Sequence, residues 1–267
     1  MRKADYHIHS DFSFDGKNTM REMAGEAFRQ GFSEIAFTDH ADFHPSYPPL
    51  RDFRERRAVL SELKEEYRGR LTIADGVEIG LEPRLAGFLK GFVAEHGFGF
   101  VIGSLHDMDG ADIYGADIYK GKDKDEVYGL FLDYMLRCVK CADFDVLGHF
   151  DYVERYVLRH GGYENGSLDP EVHRGIIDEI LKTLVSDGRG LEVNSSGFFY
   201  WLNHPHPDVS ILKRFRELGG EIVTIGSDAH RVDRLGRYYS ETVQTLKDAG
   251  FGHCAVYRER KPVFIKL

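Results

Sequence analysis

The sequence predicts an α/β protein built as a distorted (β/α) barrel. Three observations carry this expectation. Short β-like runs alternate with longer amphipathic helical segments, which implies parallel strands joined by right-handed crossovers. About seven such units occur, too many for a small open sheet and close to a complete barrel. No G-x-G-x-x-G follows a strand, which argues against the doubly wound alternative. The 267 residues suit one such barrel, and no repeat, low-complexity tract or linker divides them, so residues 1–267 are expected to form a single domain.

The elements follow in order. Ala4 to His9 reads as a first strand. Thr19 and Glu22 make a capping box that opens a helix closing near Gly31. Glu34 to Thr38 is a second strand, and Asp52 to Tyr67 is a helix with Val59, Leu60, Leu63 and Tyr67 near a 3.6 period. Leu71 to Ile79 is a third strand, followed by a helix through Phe88 and Val93. Phe98 to Ser104 is a fourth strand, and Asp107 to Lys122 a polar, glycine-containing loop. Glu126 to Cys141 is helical and Asp145 to Gly148 a fifth strand. Asp169, Pro170 and Glu171 read as N-cap, N1 proline and early acid of the next helix. Leu191 to Asn194 and Glu221 to Gly226 are the sixth and seventh strands, and AVYRERKPVFIKL reads as a closing hairpin.

Composition excludes several classes. Hydrophobic residues make up 42% of the chain, enough for a substantial core. No apolar run approaches the roughly 20 residues of a membrane span. The opening MRKADYHIHS lacks the apolar stretch of a secretory signal, so cytoplasmic residence is expected. The net charge is −9 and no basic run is visible, so nucleic acid is not an expected partner. Of three cysteines, Cys138 and Cys141 form a lone C-x-x-C inside a helical stretch; with no second pair nearby they read as reduced, packed thiols.

The placement of ligand-type residues is the informative pattern. His7 and His9 end strand one, His40 follows strand two in FTDH, and Glu78 ends strand three in GVEIG. His106 follows strand four in GSLHD, His149 strand five in LGHFD, and Asp228 and His230 strand seven in GSDAH. In a parallel barrel these positions all open onto the C-terminal face, where active sites sit. His-x-His on a strand points both imidazoles to one side, because side-chain direction has period two. Imidazole suits zinc, iron and manganese, and carboxylates can bridge two metals, a task for which Glu78 and Asp228 are placed. Each element alone is weak, but the joint placement, Asp15 included, is not surface decoration: burying these groups without metal would be costly. The remaining histidines test this selectivity. His204 and His206 form a second H-x-H, but among prolines, and read as a surface or lid segment. His44, His96, His160, His173 and His253 read as surface or packing residues.

The set DYHIHS, Asp15-Gly16, FTDH, GVEIG, GSLHD, LGHFD and GSDAH, in this order from Asp5 to His230, resembles the polymerase and histidinol phosphatase (PHP) superfamily. The chain length and the ending through GFGHCAVY are similar to its histidinol-phosphate phosphatase branch. The resemblance implies a (β/α)7 TIM-like barrel with two to three divalent transition-metal ions (Zn, Mn or Fe). One would be held by His7, His9, Glu78 and Asp228, a second by Asp15, His40 and His230, and a third by Glu78, His106 and His149. LEVNSSG also matches the branch, but where a basic residue often follows that glycine, this chain has Phe198, Phe199, Tyr200 and Trp201: a loop on the barrel mouth or a wall for a ring.

The expected activity is therefore hydrolysis of a small phosphomonoester, histidinol phosphate in histidine biosynthesis, by attack of a metal-bridging hydroxide. Asp42 and His230 are candidate proton donors to the leaving alkoxide. With no cation after Gly197, a guanidinium elsewhere should orient the phosphate. Arg155 is the first candidate, in LGHFDYVERY; Arg159 and Arg231 are alternatives, and a surface pair of Arg155 with Asp151 or Glu154 is the competing reading. Two other functions stay open: a nucleotide or oligonucleotide phosphoesterase of the same superfamily, which would need a basic groove, and a non-catalytic, metal-stabilised binding module.

Overall fold

The computed structural model describes residues 2–43, 47, 51–115, 117–161, 166–200 and 202–267. Seven strands form one parallel sheet: β1 (Ala4–Ile8), β2 (Glu34–Phe37), β4 (Thr72–Gly80), β5 (Phe100–Ser104), β8 (Val146–Leu147), β9 (Gly190–Asn194) and β10 (Val223–Gly226), hydrogen-bonded in that order. A two-residue strand β3 (His40–Ala41) pairs with the end of β4, placing His40 opposite Glu78. The sheet closes on itself past its last strand: a parallel bridge joins Ile8 to Ala229, with His9 N–H donating to Ala229 O at 3.0 Å and Asp228 N–H to His7 O at 2.8 Å. The result is the nearly closed (β/α)7 barrel that the alternation of elements predicts. Helices flank the strands: α1 (Met20–Arg29), α2 (Phe53–Glu66), α3 (Ala86–His96), α4 (Lys124–Cys141), α5 (Glu154–Gly161), α6 (Arg174–Ser186), α7 (Val209–Glu217) and α8 (Tyr239–Asp248). Barrel strands are covered on both faces, which is why β1, β2, β5, β9 and β10 are buried along their whole length.

Local chemistry sets the helix starts. The Thr19–Glu22 capping box forms at α1, and Asp123 with Glu126 forms a second at α4. Asp52 caps α2 through Arg54 N–H. Asp169 does not cap a helix: its carboxylate accepts from Glu171 N–H at 3.0 Å within a turn, and α6 begins only at Arg174. The segment after His106 is not all loop, because β6 (Asp107–Met108) and β7 (Ala111–Asp112) pair antiparallel there.

The C-terminal hairpin, β11 (His253–Arg258) and β12 (Lys261–Lys266), covers the N-terminal mouth of the barrel. Tyr257 N–H donates to Tyr6 Oη at 2.8 Å, Arg258 Nη2 to Glu34 Oε2 at 2.8 Å, and Arg260 N–H to Gly99 O at 2.8 Å, all at strand beginnings. The opposite, C-terminal mouth stays open. Cys138 is buried and Cys141 exposed on α4, both as free thiols. His44 and Trp201 lie outside the described residues.

Candidate metal centre

The C-terminal mouth holds a cavity of about 520 Å³, with Asp15, His40, Glu78, His106, His149 and Asp228 among its walls. Glu78, at the end of β4 and 1% exposed, is the hub. Its Oε2 lies 3.2 Å from His7 Nε2, 3.4 Å from His9 Nε2 and 3.0 Å from His40 Nδ1. Its Oε1 lies 3.4 Å from His106 Nε2 and 3.1 Å from His149 Nε2. Across the cavity, Asp228 Oδ1 is 3.7 Å from His7 Nε2 and 3.5 Å from His9 Nε2. Asp15 Oδ2 is 3.0 Å from His230 Nε2, and Asp15 Oδ1 is 3.7 Å from His40 Nε2. All nine residues singled out in the sequence thus converge on one site, in three adjoining groups around Glu78, between His40 and His230, and beside Asp228.

Backbone geometry brings them this close. A Cβ on Gly226 would sit 2.5 Å from His7 Cβ and 2.3 Å from Glu192 Oε1, so only glycine lets β10 approach β1 here. Asp228 itself takes φ +55°, a left-handed conformation that costs a non-glycine residue energy and that surrounding contacts must hold.

A second layer orients the imidazoles. His7 Nδ1 is 2.5 Å from Glu192 Oε1, and the other oxygen of Glu192 accepts from His149 N–H at 2.9 Å. His9 Nδ1 meets Ser13 Oγ at 3.0 Å, and His230 Nδ1 meets the Asp228 carbonyl at 3.0 Å. Asp42 Oδ1 accepts from His106 Nδ1 at 3.0 Å, and its Oδ2 lies 3.1 Å from His40 Nδ1. Tying up one ring nitrogen fixes the tautomer and aims the other inward, the arrangement found behind metal-bound histidines.

The donor set fits metal. Buried Glu78 Oε2 has no hydrogen bond of acceptable geometry, although three imidazole nitrogens surround it. His7 Nε2 and His9 Nε2 face each other at 3.0 Å. With His7 Nδ1 committed to Glu192, its Nε2 is the atom turned to Glu78 Oε2, and imidazole nitrogens crowded on a buried carboxylate form a donor set that a metal cation could occupy in place of protons. Charge follows the same logic. Burial opposes ionisation of Glu78, but His7, His40 and His106, which neighbouring carboxylates draw toward their charged forms, together hold its carboxyl well below the usual range. Burial, with His230 and His40 alongside, pushes His9 down to about 3, which keeps its lone pair available.

Of the arginines weighed in the sequence, Arg155 and Arg231 both line the cavity, and Arg155 is the buried one. Its side chain is 5% exposed, and Nη2 donates to Asp228 Oδ2 at 3.2 Å and to Ser196 Oγ. The alternative of a surface pair with Asp151 or Glu154 is not what forms. Arg159 is exposed and donates to Tyr114 Oη at 3.2 Å, and Arg231 is bound at 3.0 Å to Asp233. The aromatic loop splits in two: Phe199 and Tyr200 line the cavity, whereas Phe198 stacks on Tyr238 at 5.0 Å.

Several contributors were not legible. The second-layer residues Glu192 and Ser13 carried no motif of their own, although Glu192 sits in the branch-like LEVN. The reading of His204 and His206 as a surface segment is corrected: His206 is fully buried against Asp151 and Arg155, and His204 is half-buried 3.6 Å from Glu154. Neither is near Glu78, so the second H-x-H does not join the nine.

Residues 5–196 match the model of the PHP domain family. The chain is 32% identical to the histidinol-phosphatase of Lactococcus lactis over 98% of its own length and 96% of the relative's. It superimposes with a TM-score of 0.90 on the crystal structure of histidinol phosphate phosphatase from Lactococcus lactis complexed with zinc, L-histidinol and phosphate, at 30% identity, covering 98% of this chain and 99% of that one.

Proposed function

We propose, since this chain belongs to the PHP domain family, that it is a metal-dependent phosphomonoesterase that converts histidinol phosphate to histidinol and phosphate. The observation that carries this reading is the convergence of six histidines and three carboxylates beside a buried arginine in an open cavity. The relatives with matching length and fold are named for that activity.

His7, His9, Glu78 and Asp228 would hold one divalent metal, Asp15, His40 and His230 a second, and Glu78, His106 and His149 a third. Such metals supply Lewis acidity toward phosphate oxygens and hydroxide at neutral pH. The chain's own residues bind and orient. Arg155 reaches the cavity with Nε and Nη2 engaged by protein, and among the described residues Nη1 has no partner, so its two N–H groups are available to a phosphate oxygen. Asp42 is assigned to orienting His106 rather than to donating a proton, because its Oδ1 accepts from His106 Nδ1. His230 has Nδ1 bound to the Asp228 carbonyl and Nε2 directed at Asp15, which suits it to sharing a metal with Asp15. Asp112, Tyr114 and Phe199 on the rim offer a carboxylate and rings to a cationic, aromatic leaving group. Residues 1–267 would act as one domain, in the cytoplasm, on a small substrate and without nucleic acid. No described helix is long and apolar enough to cross a membrane.

A panel of histidinol phosphate, nucleoside monophosphates and p-nitrophenyl phosphate tests the assignment. Histidinol phosphate should give the highest kcat/KM by a clear margin; a nucleotide in first place would overturn the substrate. Arg155→Ala should leave metal content intact and lower kcat/KM by about 10²-fold, the loss of a charged transition-state contact of roughly 2.7 kcal/mol. Arg155→Lys should recover part of this, because an ammonium cannot form the fork. A value for Arg155→Ala within a few-fold of the parent would remove Arg155 from the phosphate site.

A further inference from the structure

The segment between β9 and α7 leaves the barrel mouth and returns to it at His206. Asn194 N–H donates to His206 O at 2.7 Å and His206 N–H to Asn194 O at 2.8 Å, so the residue is pinned alongside the end of β9. Gly197 permits the return, since a Cβ there would lie 2.4 Å from His204 O. The His206 ring is fully buried and takes no part in the cluster around Glu78.

Its hydrogen bonds determine its tautomer. Arg155 Nε–H, which can only donate, approaches His206 Nε2 at 3.0 Å. Nε2 must therefore offer a lone pair, and the ring proton sits on Nδ1, where the carboxylate of Asp151 accepts it. Asp151 is 1% exposed, and its other oxygen accepts from Asp208 N–H at 3.1 Å, so the carboxylate is itself fixed in place. The order is carboxylate, imidazole, guanidinium, each link directional and buried. Burial and the neighbouring Arg155 charge hold the His206 imidazole far below its usual range, consistent with a neutral ring.

The guanidinium is otherwise held at its far end only, by Ser196 and Asp228 on Nη2. Without an acceptor at Nε, the plane would be free to turn about that end. Tyr152 and Tyr200 also lie against Arg155, its Cζ 4.7 and 4.4 Å from their ring centroids, but a ring face carries no directional acceptor and does not select which N–H faces the cavity. We infer that Asp151 and His206 form a positioning pair that fixes the plane of Arg155, so that its free Nη1 meets a phosphate oxygen held in the cavity. This rests on the phosphate role given to Arg155 above. It assigns a function to His206, the second histidine of that H-x-H.

Two side chains separate the links. In His206→Asn the short amide can still donate to Asp151 but cannot reach Arg155. In His206→Gln the longer amide carries an acceptor near the Nε2 position. The metal-loaded protein is titrated calorimetrically with inorganic phosphate, and p-nitrophenyl phosphate turnover is measured alongside. His206→Asn should weaken phosphate binding and lower kcat/KM by about 10- to 100-fold at unchanged metal content, the range for partners standing behind a contacting group. His206→Gln should restore most of both. In an Arg155→Ala background, His206→Asn should change neither by more than about twofold, because the effect passes through the guanidinium. Equal losses in both backgrounds, or a loss in His206→Gln matching that in His206→Asn, would show that His206 acts through the fold and overturn the proposal. A parent protein that binds phosphate without turning over any ester would instead overturn the proposed activity, with the phosphate titrations still deciding the role of His206.

Discussion

Glu78→Gln should cost the protein its metal and lower phosphomonoester kcat/KM by about 10³-fold or more, the several kcal/mol that metal supplies to phosphoryl transfer. Five imidazole nitrogens lie within 3.0 to 3.4 Å of its two oxygens, so no other side chain could take over its position. Glutamine matches the shape and removes the charge, and its amide nitrogen would face imidazole nitrogens in place of an acceptor. The fold should survive, because β4 is held by its neighbours β2 and β5 and not by this side chain. The check is elemental analysis with circular dichroism on the same sample. A folded Glu78→Gln protein with full metal content and activity within tenfold of the parent would show that Glu78 is not the hub.

Arg56→Leu should destabilise the protein by about 3–5 kcal/mol, the cost of breaking a buried ion pair and stranding its partner. Arg56 projects from α2 into the barrel wall and is 1% exposed. Its Nε donates to Asp39 Oδ2 at 2.7 Å, Nη1 to Asp75 Oδ1 at 2.5 Å, and Nη2 to Phe37 O and Gly76 O, both at 2.9 Å. It thereby ties the end of β2 to the middle of β4. Asp39 then receives Ser10 N–H at 2.6 Å and Ser13 Oγ at 3.1 Å, and Ser13 holds His9. Leucine would leave the Asp39 carboxylate buried without its counter-charge. The melting temperature should fall on the order of 10 °C for a chain of this size. Because the damage passes through Ser13 to His9, metal affinity should fall as well. A melting temperature within about 2 °C of the parent would mean that water and local relaxation replace the guanidinium at little cost.

Arg56 also marks where sequence reading stops. Its position on α2 lies four residues before Leu60 and seven before Leu63, on the buried face, yet an arginine there reads as solvent-exposed; only the two aspartates brought by β2 and β4 reveal a buried hub. The barrel was legible because parallel strands covered on both faces give apolar runs with helical segments between them. The nine ligand-type residues were legible because each falls where a strand ends, and a barrel sends all strand ends to one face. The layer behind them was not. Glu192 is two residues before the end of β9 and sits in an ordinary strand pattern, and its meeting with His7 is set by closure of β10 onto β1. His206 was misread for a similar reason. Flanking prolines suggest an exposed loop, and nothing local announces that its backbone pairs with Asn194. Asp42, shortly after His40, and His230 were read as candidate proton donors, and the function proposed above gives them orienting and ligating roles instead.

The barrel mouth is proposed as a metal-dependent phosphomonoesterase site. It is tested most directly by counting metal in protein purified without chelator, then following histidinol phosphate hydrolysis through metal removal and reconstitution. Two to three divalent transition-metal ions per chain are expected, with activity lost on stripping and restored by Zn²⁺, Mn²⁺ or Fe²⁺. Undiminished hydrolysis by metal-free protein would contradict the account.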